Sequence, residues 1–500
     1  MDYDIIVIGS GLGGLTSASR LSNLGYKVGV FEQHFTPGGY ATNFKRKGYN
    51  FDVSLHGIGG LEEGGNVYKI LSACNIIDRI TPIKSDISYS IYHNNELMSI
   101  PNNIDEYKTV LIKKFKTEEK NIEKLFKDLY RFDNGFKKFI LQKDENFINK
   151  IHKDVLLFIK WSSKTTYQVL RNYTRNEELI KVFTALWSYY GLPPKDLSAI
   201  YYFIPWNSYH MHGKYYIKGG SQSLSDAFVE NIKENKGDIY LRKSVESILY
   251  ENNKVCGVKL QDGQVFKSKW IISNVNPIKT YEMLPKYALN KIEIKKIKED
   301  KIGCTLSQLY IGLDINPNEL NIPNDEVFFF GEGSHEEDYK ISLDNRYEKS
   351  GFLLTNYNSM DKMLNEENKG VLTMTYIDNY DYWSNDRGEY KSQKKEVIYK
   401  MINRLEKYYK GISNHIVVAE LGTPKTMERY TLNPKGAVYG YNQSVKQSGR
   451  YRLKNKSSIS NLSFVGAWTN PGGGYEGSIS GGMVEANRIR NILPIDDALK

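Results

Sequence analysis

The stretch that most constrains this 500-residue chain is its beginning, "DYDIIVIGSGLGGLTSASRLSNLGYKVGVFEQ", residues 2–33. Residues 4–8, "DIIVI", place β-branched side chains in succession, the pattern of a buried parallel strand. Gly9, Gly11 and Gly14 follow in G-x-G-x-x-G spacing, with Leu12 and Gly13 between them. Gly9 permits a tight turn, Gly11 lets backbone approach a pyrophosphate, and Gly14 lets a helix pack closely on the strand. Leu15, Ala18 and Leu21 then open a helix, whose N-terminal N–H groups and positive dipole end suit phosphate. "KVGVFE" forms a second strand, and Glu32 at its end is placed to accept from ribose hydroxyls and to disfavour a 2′-phosphate. Strand, glycines, helix, strand and acid in this order predict a dinucleotide site.

A chain of this length exceeds what one core usually organises, so two domains or one elaborated domain are expected. The net charge of +10 is spread over 68 basic and 58 acidic residues. Such mixing favours a mild attraction to anionic membrane surfaces, and no recognition module points to nucleic acid. Cys74, Cys256 and Cys304 have neither metal-ligand nor redox spacing and read as buried thiols of a reducing compartment. The chain enters a strand almost at once, and no apolar run approaches the ~18 residues of a membrane span. The expected setting is cytoplasmic, with contact at a membrane surface. The 38 tyrosines and 20 phenylalanines suit a pocket for a long apolar molecule, although abundant Lys, Asn and Ile favour compositional bias as the explanation.

Three further stretches carry a resemblance. "PGGYATNFKRKGYNFDVSLHGIGG", residues 37–60, brings a second glycine pair, Gly38 and Gly39, soon after Glu32. "GTPKTMERYTLNPKGAVYGY", residues 422–441, and "NLSFVGAWTNPGGGYEGSISGGMVEANRI", residues 461–489, lie near the other end. Together they resemble the phytoene desaturase, carotenoid isomerase and retinol saturase group of the amine oxidase-like flavoproteins. The resemblance implies an α/β fold, with a discontinuous Rossmann-like FAD-binding domain and a mixed α+β substrate domain. It implies FAD as cofactor, Gly38 and Gly39 beside the ribityl chain, and a backbone segment near Val245 against the adenine. The closing stretch reads as a strand over 462–466, a glycine loop and a helix from about Ser478. By the resemblance it clamps the flavin, with Gly466, Gly473, Gly474, Gly477 and Ser478 as contacts. One departure stands out: many flavoproteins carry an acid just after Gly466, where this chain has Ala467 and Trp468. That leaves only backbone contacts at this point.

Residues 1–75, 215–280 and 421–500 are expected to form the FAD domain, and 76–214 with 281–420 one substrate domain. Within the first, a helix is predicted over 222–233, followed by strands turning at Asn252–Asn253 and Asp262–Gly263. Within the second, Ile122, Leu125, Phe126, Leu129, Phe132, Phe136, Phe139 and Ile140 recur at helical spacing opposite a lysine-rich face, and "DVLLFIKW" follows at 154–161. This reads either as a core-facing helix or as a basic surface dipping into a membrane.

The implied reaction is flavin redox chemistry at a C–C or C=C bond of a hydrophobic polyene or isoprenoid lipid, run as desaturation, saturation or isomerisation. Only one complete dinucleotide fingerprint is present, so electrons are exchanged with substrate, a quinone, oxygen or a separate reductase. His56 is the first candidate proton donor, because imidazole titrates near neutrality. Glu476 is the second, and Tyr475 is expected to line the pocket. Arg429 reads as structural. His210 and His212 are spaced as metal ligands could be but lack a third, so no metal site is expected. The rival readings are an amine oxidase, against which Tyr40 stands where many of those enzymes carry Arg, and a catalytically silent, flavin-bound lipid carrier.

Overall fold

The computed structural model describes residues 1–141, 152–361 and 368–494. Its first sheet grows from the predicted N-terminal unit. The strand Tyr3–Ile8 lies parallel between Val28–Phe31 and Val265–Ser273, and Asp238–Tyr240 extends the sheet beyond Val28–Phe31. On the far flank of Val265–Ser273, its first half pairs antiparallel with Lys254–Leu260, and its last residues pair parallel with Leu462–Phe464. Val245–Glu251 completes the antiparallel part. The two turns joining these strands fall at Asn252–Asn253, both in left-handed conformation, and around Gly263. The β-branched run at 5–8 is buried throughout, as expected for a strand covered on both faces.

Helices cover this sheet. Leu12–Asn23 leaves the first strand through Gly11, and Ser221–Glu234 buries Leu224, Ala227, Phe228 and Ile232 beside it. The C-terminal helix runs Tyr475–Ile492, starting three residues earlier than its sequence suggested. Gly474, with φ +82, turns the chain into the helix, so Tyr475, Glu476 and Gly477 form its first turn rather than the preceding loop. The strand before it is shorter than predicted, Leu462–Phe464; the Val465 N–H still donates to the Ser273 carbonyl at 2.9 Å, and Gly466, with φ +90, turns the chain.

A second seven-stranded sheet draws on both insertions. Its order is Ile416–Gly422, Thr305–Leu313, Gly370–Asp378, Phe352–Asn356, Asp325–Phe329, Ile87–His93 and Glu96–Pro101. All pairs are antiparallel except Asp325–Phe329 with Ile87–His93. Helices within residues 104–141 and 152–212 form a layer beside it around Tyr107, Phe126, Phe183, Phe203 and Trp206. The amphipathic helix Glu119–Leu141 buries Ile122, Leu125, Phe126, Leu129 and Phe132 in that core. Its last turn differs, because Phe139 and Ile140 are exposed. Leu156 and Ile159 of the following helix, Lys153–Ser162, are exposed as well. Among the described residues no helix is long and apolar enough to cross a membrane.

The first and last helices touch backbone to backbone. A Cβ added to Gly482 would stand 2.4 Å from the carbonyl oxygen of Gly13, which cannot move aside without shifting a helix. At Gly481, one residue earlier, the nearest atoms are at an ordinary 3.4 Å. Gly482→Ala is therefore expected to cost about 1–3 kcal/mol through overpacking. Gly481→Ala should be neutral or slightly stabilising through helix propensity. Urea unfolding of the two variants side by side separates these outcomes; equal midpoints would remove the close approach from the account of stability.

Candidate active site

The parallel strands of the first sheet end together, and the loops leaving those ends open onto one cavity of about 2650 Å³. Ligands of open α/β sheets sit at this edge, because helix N-termini and turning backbone converge there. Gly9, Gly11, Leu12, Gly13, Glu32, Gly38, Gly39 and Val245 all line the cavity, as do Gly466, Gly473, Gly474, Gly477 and Ser478. Gly14 does not. It packs between helix and strand, where a Cβ would stand 2.3 Å from the carbonyl oxygen of Gly9. Both helices that begin at this edge, at Gly11 and at Gly474, lack a side-chain cap. Their first turns stand at the cavity, and helix N-termini suit anionic or carbonyl acceptors.

The second glycine pair is tied to the first. The Gly38 N–H donates to the Ser10 carbonyl at 3.0 Å, and a Cβ on Gly38 would lie 2.1 Å from the carbonyl oxygen of Ala41. Gly38 also has φ +115, so both sterics and backbone demand glycine. Glu32 is buried at the end of its strand. It accepts from the Ser10 N–H at 2.8 Å, the Ser10 hydroxyl at 2.7 Å and the His34 N–H at 2.8 Å. Three fixed donors hold the carboxylate in place, and a carboxylate has about four lone-pair sites, so capacity remains for a further donor.

Asn274 is a site residue that the sequence reading missed. It follows the strand Val265–Ser273, and its Oδ1 accepts from the Gly14 N–H at 3.1 Å. A Cβ on Gly11 would meet its Nδ2 at 2.4 Å, and one on Gly466 would meet its Oδ1 at 2.6 Å. The only signal for it is a polar residue just past an apolar strand, in "WIISNVNP". These glycines, the uncapped helix starts and the cavity volume fit an extended dinucleotide such as FAD.

Beyond the glycine loops the wall becomes aromatic and acidic. His56 lies between the rings of Tyr189 and Tyr357, with centroids 5.8 and 6.3 Å away. Its Nδ1 is 3.0 Å from Thr355 Oγ1 and 3.2 Å from Glu326 Oε1. Burial pushes the imidazole below its ordinary value, the Glu326 and Asp52 charges pull it back up, and Lys214 pushes it down again. Tyr475 donates or accepts through its hydroxyl at Ser221 Oγ, 2.7 Å, and Ser54 Oγ, 2.9 Å. Both serines also touch buried Asp52, which receives the Ser221 and Ser54 N–H groups. Burial raises the Asp52 carboxyl, and those hydrogen bonds draw it down.

Glu476 accepts from the Gly59 N–H at 2.9 Å. Burial pushes its carboxyl up to about 7, against the pull of Ser208 and that backbone donor. The three catalytic candidates thus share one cavity.

The remaining wall comes from the helix Ala199–His212. Tyr201, Ile204, Pro205, Ser208, Tyr209 and His212 line the cavity at helical spacing. His212 pairs with Glu62 at 2.7 Å. His210 points the other way into an aromatic core, where burial lowers its imidazole to about 3. The two histidines do not converge, and among the described residues no His, Cys, Asp or Glu cluster could hold a metal. Arg429 also lines the cavity, stacking on Tyr430. At its far end the cavity opens between Phe136, Phe139, Ile140, Phe158 and Ile159.

Glu476 gives a pH signature. In the unfolded chain it loses its proton near 4.5, whereas in the folded protein it holds the proton to about 7. Its contribution is therefore fully present below the unfolded value and is lost as pH rises through 7, by an amount on the order of 3 kcal/mol. Glu476→Gln should flatten that part of the stability-versus-pH curve. Urea midpoints measured across this window check the point; a variant with the wild-type slope would assign the pH dependence elsewhere.

Comparison with known proteins places this chain in a family. The chain is similar, at 27% identity over 506 residues, to all-trans-retinol 13,14-reductase of Danio rerio, covering 93% of this chain and 82% of that protein. It is 26% identical to chloroplastic prolycopene isomerase of Arabidopsis thaliana, over 97% of this chain and 82% of that protein. It is 23% identical to the 4,4'-diapolycopene-forming 4,4'-diapophytoene desaturase of a Methylomonas species, over 97% of this chain and 94% of that protein. The family of flavin containing amine oxidoreductases matches residues 12–296, more than half of the chain and all of the first glycine loop from Leu12 onward. The chain belongs to that family and is a flavin-dependent oxidoreductase.

Proposed function

We propose that the flavin is FAD and that the substrate is a hydrophobic polyene or isoprenoid lipid, altered at a C–C or C=C bond by desaturation, cis–trans isomerisation or saturation. The observation that carries this reading is the cavity itself. A single space of about 2650 Å³ leads from the glycine loops past His56, Tyr475 and Glu476 to exposed apolar helix ends. Pockets for one small ligand span roughly 300–1,000 Å³, so this one has room for a dinucleotide and a long second molecule. The names of the three relatives, all enzymes of polyene compounds, support the same substrate class.

In this reading Gly9, Gly11, Leu12 and Gly13 hold the pyrophosphate, and Gly14 keeps their helix close to the sheet. Glu32 receives ribose hydroxyls, Val245 abuts the adenine, and Gly38 and Gly39 flank the ribityl chain. Gly466, Gly473, Gly474, Gly477 and Ser478 face the flavin. When bound, the flavin supplies hydride exchange with carbon. The protein's own part is to exclude water with its aromatic walls, to orient the lipid, and to hold or release protons at Glu476 and His56. Tyr475, tied at its hydroxyl, presents a fixed ring edge to the bound molecules. Residues 1–75, 215–280 and 421–500 form the FAD half. Residues 76–214 and 281–420 form the substrate half, a division supported by the sheet that both insertions share.

The polyene would enter from a membrane surface on the cytoplasmic side. Exposed Phe139, Ile140 and Ile159 line the far mouth of the cavity, with Lys137 and Lys160, and Leu156 is exposed on the same helix as Ile159. Apolar side chains flanked by lysine suit insertion at an anionic lipid interface. Sedimentation with anionic vesicles should carry wild type and leave an Ile140→Glu, Ile159→Glu variant in the supernatant. Equal sedimentation would locate any membrane contact elsewhere. A single glycine fingerprint supports an external electron donor or acceptor.

The reaction is tested by anaerobic incubation with all-trans-retinol, cis-lycopene and phytoene, with oxidised and with chemically reduced flavin. Loss of two hydrogens in the oxidised arm identifies a desaturase, and gain of two in the reduced arm a saturase. Unchanged mass with altered retention identifies an isomerase. Rapid flavin bleaching by polyamines, with every polyene unchanged, would overturn the reading in favour of an amine oxidase.

A further inference from the structure

A buried ion pair stands directly behind His56. Lys214 begins the strand Lys214–Ile217, and Glu326 lies in Asp325–Phe329, more than one hundred residues away. Their side chains are each 1% exposed and meet at 2.5 Å between Nζ and Oε2. Lys214 Nζ also donates to the Ser88 carbonyl at 2.8 Å, and the Tyr189 hydroxyl donates to Glu326 Oε1. That oxygen is the one 3.2 Å from His56 Nδ1. The lysine stem passes so close to the residue after His56 that a Cβ on Gly57 would stand 2.3 Å from Lys214 Cε. Such a pair takes two ions out of water and is weak support for stability. Its place against one face of a cavity-lining imidazole calls for another explanation.

We infer that Glu326 is a positioning residue which holds His56 by Nδ1 with Nε2 turned to the cavity, that this ring exchanges a proton with the substrate, and that Lys214 neutralises Glu326. With the Glu326 carboxylate at 3.2 Å and the Thr355 hydroxyl oxygen at 3.0 Å both beside Nδ1, the proton of the neutral ring resides on Nδ1 and the lone pair on Nε2. The step is a plain proton transfer. As substrate is deprotonated, its C–H bond breaks, the pair stays with the substrate, and Nε2–H forms. In the opposite direction the Nε2–H bond breaks and its pair stays on nitrogen. Imidazole and imidazolium interconvert, and charge is conserved. The charged and titratable groups facing the ring are Glu326, Asp52, Lys214, Tyr189 and Tyr357. Glu326 and Asp52 favour the imidazolium, whereas burial and Lys214 favour the neutral ring. The neutral, proton-accepting form is thus the resting one.

The proton exchange rests on the polyene reading, whereas the positioning of the ring does not. The test therefore has one arm without substrate. In protein labelled with ¹⁵N-histidine, His56 is assigned by its loss in His56→Gln. Wild type should show the Nδ1–H tautomer. The paired variant Glu326→Leu, Lys214→Met replaces the ion pair by apolar side chains of similar volume and should revert to Nε2–H. In the turnover arm, His56→Gln should lower kcat about 100-fold, and the paired variant on the order of tenfold, each with little change in KM. An Nε2–H tautomer in wild type, or a tautomer unchanged in a folded paired variant, would overturn the inference. So would full turnover by His56→Gln, with the polyene reading intact. Silence of wild type on every polyene would defeat the polyene reading, and the proton exchange with it, while the tautomer arm still decides how the ring is held.

Discussion

Everything in the first half of this molecule depends on a close approach of backbone that only glycine allows. Three chain segments, far apart in sequence, meet around Asn274. Its side chain lies against Gly11 and Gly14 from the first segment and Gly466 from the last, and it belongs itself to the second. Further along the last segment, Gly482 rests on the carbonyl of Gly13, which locks the last helix to the first. Packed interiors do not deform continuously, so a methyl group at such a point is felt by both elements. The same contacts bring two uncapped helix starts to one edge of the sheet. Closing the discontinuous fold and building the cavity are therefore one event. The glycines that look like ligand contacts in sequence are also the residues that let the pieces join.

This double duty explains what could be read in the sequence. The glycine fingerprint, Glu32 and the second glycine pair announce themselves because their demands are local: a turn, a positive φ, an acid at a strand end. The helix at Ser221–Glu234 and the hairpins after it were likewise legible, since periodicity and turn residues lie within a few positions of each other. Tyr475 and Glu476 were placed in the loop rather than the helix because a run of glycines hides where the first helical hydrogen bond forms. Asn274, Glu326 and Lys214 were not legible. Their roles arise from contacts across more than a hundred residues, and pattern reasoning has no access to such pairs. The only trace is a charge inside an apolar strand, as in "DEVFFF" and "KYYI", where an ion needs a partner that the sequence does not name.

The amphipathic helix Glu119–Leu141 gave two readings from sequence, and its residues divide between them. From Ile122 to Phe132 its apolar face is core, which accounts for the periodicity without any membrane. In the last turn the same periodicity continues past the edge of the core, leaving Phe139 and Ile140 exposed where the cavity opens. Tyrosine divides in a similar way. Its abundance alone says little, yet the cavity walls use it for a defined purpose. The hydroxyls of Tyr201 and Tyr209 are donated to the carbonyls of Pro471 and Gly57, and that of Tyr189 to Glu326. With the polar tips tied to protein, the ring faces are what a bound molecule meets, and a tyrosine-rich wall behaves as an apolar one.

Such a wall governs the charges within it. Burial disfavours ions, so it raises an acid and lowers a base. Glu476 moves up to about 7, and His56 moves down. Both shifts run toward the neutral species, which suits a space meant for an uncharged molecule. Each shift is moderated by the donors or ions around the group. For Glu476 these are Ser208 and the Gly59 N–H, and for His56 they are Glu326 and Asp52. At His210 burial acts unopposed and lowers the imidazole to about 3, whereas at His56 the charges of Glu326 and Asp52 oppose it. The two buried histidines thus differ in the charged groups that face them. One ring is filler in an aromatic core, whereas the other stands at the wall of a cavity with a carboxylate behind it.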